Sequence, residues 1–168
     1  MKQYLQEVGN MFRAGDKIVH PMHGAGIVES VVQKKVNGVT RDYYVLKLPL
    51  RSMVVMIPTQ NSEEIGVRPI IDSAQADDIL SKLPGIEVEF DQNWNRRYRD
   101  NMERIKSGNL IEVARVIKGL MLRDGERGLS TGERKMLHSA KEILISEIVL
   151  SQSVTYEDVE ERINSALA

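Results

Sequence analysis

Residues 27–48 read IVESVVQKKVNGVTRDYYVLKL, and this stretch decides the fold of the first half of the chain. Asn37-Gly38 stands between Val36 and Val39. An Asn-Gly pair flanked by apolar residues is the strongest short hairpin signal, because both turn residues need positive φ. Ile27–Val36 runs into the turn rich in valine, and Arg41–Leu48 leaves it alternating around Tyr43, Tyr44 and Val45. Working outward, Lys17–His20 is a short apolar strand, followed by a tight turn at His23-Gly24-Ala25-Gly26. Met53–Ile57 is a further strand that stops at Pro58. Four or five short strands with no helix between them predict a small antiparallel β-barrel or rolled sheet. Such a sheet needs closure or a cover for its edges, and an edge left open is a place where another protein adds a strand.

The second half reads as helices. Asp72 or Ser73 caps a short one that runs to Lys82 and stops at Pro84-Gly85. Ile86–Gln92 is an extended connector, and the next helix starts near Asn93 and ends at Ser107-Gly108. Leu110, Val113, Ala114, Ile117, Leu120 and Met121 then recur at helical spacing, up to Asp124-Gly125. Ser130 with Glu133 forms a capping-box pattern. The helix behind it, with Met136, Leu137, Ala140, Ile143, Leu144, Ile148 and Val149, is apolar over so much of its surface that it belongs at the bundle centre. A last helix covers Tyr156–Ala166. The fold class is thus α+β in two domains: a β-domain over residues 11–70 and an all-α helical bundle over residues 72–167.

Composition narrows the function. With no cysteine, disulfides and thiolate metal sites are excluded. No run of apolar residues approaches the roughly 18 a membrane span needs, and the opening MKQYLQEVGN lacks the order of a signal peptide. A cytoplasmic location is the default that follows. The net charge is −1, whereas a protein that coats nucleic acid without preference carries a strong basic excess. Any nucleic-acid contact is therefore local and helped by a second partner. Residues 71–168 hold fourteen Lys/Arg against eighteen Asp/Glu, which makes the single basic cluster there easier to see.

Catalysis needs a nucleophile, a base and an orienting group, or a metal. The only histidines are His20, His23 and His138, and the spacing His20-Pro-Met-His23 reads as turn and strand-end residues rather than a metal site. Gly24-Ala25-Gly26 has two glycines of a phosphate fingerprint but precedes a strand, not the helix N-terminus such a loop needs. The sequence predicts a non-enzyme with no cofactor, no metal and no small-molecule substrate.

The unusual stretch is Asn93-Trp94-Asn95-Arg96-Arg97-Tyr98-Arg99-Asp100, with the only tryptophan and three arginines. Arginines neutralise phosphates, and a large planar side chain wedges against bases where a duplex is unstacking. The competing reading is structural. Trp94, Tyr98, Met102 and Ile105 recur at helical spacing as a core-facing stripe, with Arg96, Arg99, Glu103 and Lys106 as its solvated face. Spacing alone favours the stripe. The place of Trp94 in the first turn, between two asparagines, favours a wet helix end.

Phe12-Arg13-Ala14-Gly15-Asp16-Lys17-Ile18-Val19-His20-Pro21-Met22-His23-Gly24-Ala25-Gly26 resembles the opening of the CarD family of bacterial transcription regulators, also called CdnL. Tyr44-Val45-Leu46-Lys47, Asn93–Tyr98, and Glu126-Arg127-Gly128-Leu129-Ser130 with Gly132-Glu133 match the same pattern, in order, over about residues 11–165. The resemblance implies a Tudor-like RNA-polymerase-interacting domain, similar to that of transcription-repair coupling factors, followed by a helical DNA-binding domain. It implies binding to the lobe of the RNA polymerase β subunit and to promoter DNA at the upstream edge of the transcription bubble, where a tryptophan wedge stabilises the open complex. Trp94 stands at the wedge position, Arg96 and Arg99 at the neighbouring basic positions, and Arg97 between them. Lys34 stands where relatives have a basic residue facing the β lobe. Met56 departs from the arginine of some relatives, and Arg51 on the preceding turn is the candidate replacement. The first ten residues precede the usual family start at Met11 and read as an added leader or an upstream start codon. A monomer is expected. The alternative, from another class, is a protein-interaction adaptor without DNA contact, with Trp94 buried in the helical core.

Overall fold

The computed structural model describes residues 11–167, so the leader expected at residues 1–10 lies outside the described residues. The first half holds β1 (Lys17–His20), β2 (Gly24–Val36), β3 (Val39–Leu48), β4 (Met53–Pro58), a single-turn helix α1 (Ser62–Ile65) and β5 (Arg68–Pro69). The strands form one antiparallel sheet in the order β4-β3-β2-β1-β5. The β2–β3 hairpin closes as its chemistry dictates, with Asn37 at φ 51° and Gly38 at φ 78° and Val36 opposite Val39. The register shifts between Val28 and Ser30, a bulge that bends β2 at Glu29. Ile18, Val28, Tyr44, Leu46, Leu48 and Ile57 bury one face, closed by Phe12 and Val67.

Two expectations for this half are corrected. Among the described residues the sheet is open rather than a closed barrel: β5 is two residues long and pairs with β1, and β4 pairs only with β3. Pro69 has no N–H to extend a ladder, which helps to keep β5 short. Gly24-Ala25-Gly26 is the start of β2, not the turn; the turn falls at Pro21–His23. Long-range packing explains these glycines. A Cβ on Gly26 would collide with the Lys47 carbonyl of β3, and Gly24 sits at φ 89° under a helix of the second half.

That second half comprises α2 (Ser73–Lys82), a 3₁₀ turn at Leu83–Gly85, α3 (Trp94–Lys106), α4 (Leu110–Arg127), α5 (Thr131–Gln152) and α6 (Tyr156–Leu167). Each start is capped by side-chain chemistry: Asp72 with Gln75 in a capping box, Asn93 to Arg96 N–H, Asn109 to Ile111 and Glu112 N–H, Ser130 to Glu133 N–H, and Thr155 to Asp158 N–H. Helix α4 runs through the expected stop at Asp124-Gly125 and ends at Gly128, which has φ 73°. A glycine inside a helix weakens it without breaking it, and the positive φ at Gly128 supplies the actual stop. The extended connector 86–92 is held by Lys118, whose Nζ donates to the carbonyls of Pro84 and Ile86 at 2.7 Å each. Helix α5 is the centre of the bundle: Ala140, Ile143, Leu144, Ile145 and Ile148 are all buried among α2, α4 and α6.

Sheet and bundle meet along α5. Ala25 N–H donates to Ser146 Oγ at 2.9 Å, and a Cβ on Gly24 would stand 2.5 Å from the same oxygen. Arg68 grips the buried Glu147 at two points, 2.7 and 2.8 Å, and Ile71 N–H adds a third bond to that carboxylate at 2.9 Å. Lys17 Nζ donates to the Leu150 carbonyl, and Arg51 Nε lies 3.9 Å from Glu142 Oε2.

Candidate nucleic-acid interface

The site begins with Asn93. Its side chain caps α3 by accepting from Arg96 N–H at 3.1 Å, so Trp94 becomes the first helical residue. The helical period then separates three faces. Tyr98, Met102 and Ile105 turn to the core, Arg97, Asn101 and Arg104 to the side of the connector, and Arg96, Arg99, Glu103 and Lys106 to solvent. The stripe reading holds for Tyr98, Met102 and Ile105 and fails for Trp94, which is 42% exposed.

The indole is nonetheless held. Its ring stacks on Tyr98 with centroids 5.1 Å apart and planes at 20°. Its Nε1–H donates to Ser130 Oγ at 3.2 Å. A Cβ on Gly132 would stand 3.6 Å from the far edge of the ring, an ordinary contact, so the indole lies over the start of α5. The N-termini of α3 and α5 therefore adjoin at the indole, and helix N-termini carry partial positive charge. Arg96 is 69% exposed, with Nη1 3.5 Å from Asp91, and Arg99 is exposed. Arg134 and Lys135, exposed on the first turn of α5, add charge beside Gly132.

Arg97 does not join this surface. It is 6% exposed, with Nε 3.0 Å and Nη2 3.2 Å from the two Glu133 oxygens and Nη1 donating to the Asp91 carbonyl at 2.8 Å. Burial pushes the Glu133 carboxyl up, but hydrogen bonds and charge from Arg97, with Arg123 and Ser130, outweigh it and hold the pKa below the usual glutamate value. Arg97 and Glu133 form a buried ion pair that fastens α3 to α5. Sequence reasoning set Arg97 among the DNA contacts because its neighbours are arginines. It missed Tyr98, Ser130 and Gly132 as the seat of the indole, although the capping-box pattern at Ser130 and Glu133 was visible.

The residues expected to meet a protein partner divide. Lys34 on β2 and Met56 on β4 are both exposed, with Lys34 Nζ 4.0 Å from Met56 Sδ across β3. Val54 and Met53 on β4 are also exposed, and among the described residues the outer edge of β4 has no strand partner. Arg51 lies at the other end of the sheet and turns to Glu142 of α5. The rings of His20 and His23 lie 4.6 Å apart, tilted at 48°, with His20 Nδ1 accepting from Met22 N–H at 3.0 Å. Among the described residues no cluster of three or more His, Asp or Glu fits a metal, and no helix is long and apolar enough to cross a membrane.

Two family models match the chain: the CarD-like/TRCF RID domain over residues 12–71 and the CarD C-terminal domain over residues 78–164. YdeB of Bacillus subtilis (strain 168), by its name a candidate transcription factor, is 36% identical over 149 residues, which covers 89% of this chain and 97% of the relative.

Proposed function

The chain belongs to the CarD family, and from that premise we propose that it is a transcription regulator which binds RNA polymerase through its sheet and promoter DNA through the start of α3. The half over residues 11–70 is the polymerase-interacting domain, with the β-subunit lobe as its partner. The half over residues 72–167 is the DNA-binding domain. The chain stabilises the open complex: Trp94 wedges at the upstream edge of the bubble, and Arg96 and Arg99 take the backbone. Arg97 acts from behind, through Glu133, rather than on DNA.

The observation that carries the reading is the exposure of Trp94 between two helix N-termini and among unburied arginines. A core tryptophan would show neither. Phosphate oxygens are favoured at helix N-termini, where free N–H groups and the dipole point outward. On the other half, the open edge of β4 suits strand addition by a protein partner, with Lys34, Val54 and Met56 beside it. The two halves need each other. A chain of net charge −1 has little affinity for free duplex, and tethering to polymerase raises the effective concentration of Trp94 at the promoter to about the millimolar range. A wedge that fits only partly unstacked DNA then shifts the closed–open equilibrium by its differential affinity alone.

The test is the lifetime of promoter open complexes after competitor challenge. Wild-type protein lengthens it, and Trp94→Ala removes about tenfold of that effect, equivalent to about 1.4 kcal/mol. Lys34→Glu lowers occupancy on polymerase and is overcome by raising the protein concentration, whereas Trp94→Ala is not. A folded Trp94→Ala protein that lengthens the lifetime as the wild type does contradicts the reading.

A further inference from the structure

The stretch Glu126–Glu133 has no part in a wedge that is only an indole and two arginines, yet Ser130 and Gly132 lie against the ring and Glu133 bonds to Ser130. Ser130 Oγ carries one hydrogen and two lone pairs. It accepts from Trp94 Nε1–H at 3.2 Å and from Glu133 N–H at 3.2 Å, and lies 3.3 Å from Glu133 Oε1. Ionised Glu133 can only accept, so it draws the single hydroxyl hydrogen and leaves the lone pairs of Ser130 for the indole. Glu133 cannot turn away, because Arg97 holds both its oxygens. Each member of the chain Arg97–Glu133–Ser130–Trp94 thus fixes the direction of the next.

We propose that Ser130 and Glu133 are positioning residues that hold the Trp94 indole in one orientation before DNA arrives. The proposal rests on the wedge reading and deepens it. A tryptophan that swung freely at a helix end would lose that freedom on insertion, and the loss would weaken binding. Here the stack on Tyr98, the bond to Ser130 and the contact over Gly132 order the ring in the free protein, while 42% of the residue stays open to a partner. The capping role of Ser130 is the competing account, since loss of the hydroxyl also uncaps α5. The two accounts differ in what they do to Trp94.

Trp94 is the only tryptophan in the chain, so its fluorescence reports on this ring without interference. In the full-length protein, Ser130→Ala shifts the emission to the red and raises the acrylamide quenching constant, and Ser130→Thr, which keeps both cap and hydroxyl, restores both. On polymerase, Ser130→Ala shortens open-complex lifetime by about threefold to tenfold, the scale of one lost hydrogen bond. In a Trp94→Phe background, where an aromatic ring remains but the indole N–H is gone, the same substitution adds no further loss. Unchanged quenching in Ser130→Ala overturns the positioning role, and so does an equal lifetime loss in both backgrounds. Either result leaves the wedge standing. A lifetime that responds to neither the wild-type protein nor Trp94→Ala overturns the wedge itself, and the positioning role falls with it.

Discussion

Glu133 and Glu147 lie about four turns apart on α5, both buried, each gripping one arginine at two points. Their chemistry is the same and their consequences differ. Glu147 takes Arg68 from β5, so its pair crosses from bundle to sheet and sets how the two halves are held together. Glu133 takes Arg97 from the neighbouring helix, three residues after Trp94, so its pair sets how one side chain is presented. The partners also differ in access to water. The Arg97 side chain is 7% exposed and that of Arg68 29%. What an ion pair does here follows from what else the arginine's element carries: β5 carries little, and α3 carries the indole.

Removing either carboxylate sharpens the contrast. Glu133→Ala leaves Arg97 charged and walled in, and the expected cost is about 3–5 kcal/mol of stability in urea unfolding. A loss below about 1 kcal/mol would break the account of that pair. Glu147→Ala comes next, at about 3 kcal/mol, because Arg68 can turn toward water while Ile71 N–H loses its acceptor. At a temperature where both variants stay folded, Glu133→Ala alters Trp94 fluorescence and Glu147→Ala does not. Trp94→Ala is expected to cost only about 1–1.5 kcal/mol, well under the 3–5 kcal/mol of a buried aromatic, and a larger loss by thermal unfolding would return the ring to the core.

The pH response separates the end of β1 from the Glu133 pair. Burial, with the charge of His23 added, lowers the His20 pKa to about 4. Between the unfolded value of about 6.5 and that value the unfolded chain takes up a proton and the folded chain does not, so stability declines as pH falls through this window. Glu133 has the same sign of dependence in a lower window. Its pKa is lowered, so its contribution is complete above the ordinary glutamate value of about 4.3 and is lost only as pH falls below it. Urea unfolding at stepped pH checks both: His20→Gln should flatten the decline between about pH 6.5 and 4, while Glu133→Gln should leave its slope in place. A decline that persists unchanged in His20→Gln would contradict the assignment.

What was legible in the sequence was what is decided locally. Asn37-Gly38 closes a hairpin through its own backbone preferences, and Asp72, Asn93 and Ser130 start helices through bonds to residues three positions on. What was not legible depends on partners far along the chain. Gly24 and Gly26 carry a turn signature, yet they are glycines because α5 and β3 pass too close for a side chain. One edge of the sheet is β5, too short to leave a periodic signal. The single turn α1 is also below the length at which helical spacing can be read. At the site, the exposure of Trp94 followed from its place in the first turn. The withdrawal of Arg97 did not, because Glu133 stands thirty-six positions away. Arg51 is similar: Glu142 of α5, 3.9 Å away, stands ninety-one positions along the chain.

The central claim is that the ring at position 94 meets DNA where the duplex opens. A photoreactive aromatic amino acid placed at Trp94 reports this directly when polymerase, promoter and the full chain are irradiated together. Crosslinks to DNA confined to the upstream edge of the bubble, present only with polymerase bound, are the expected result. Crosslinks to protein alone, or spread evenly along the duplex, would contradict the account.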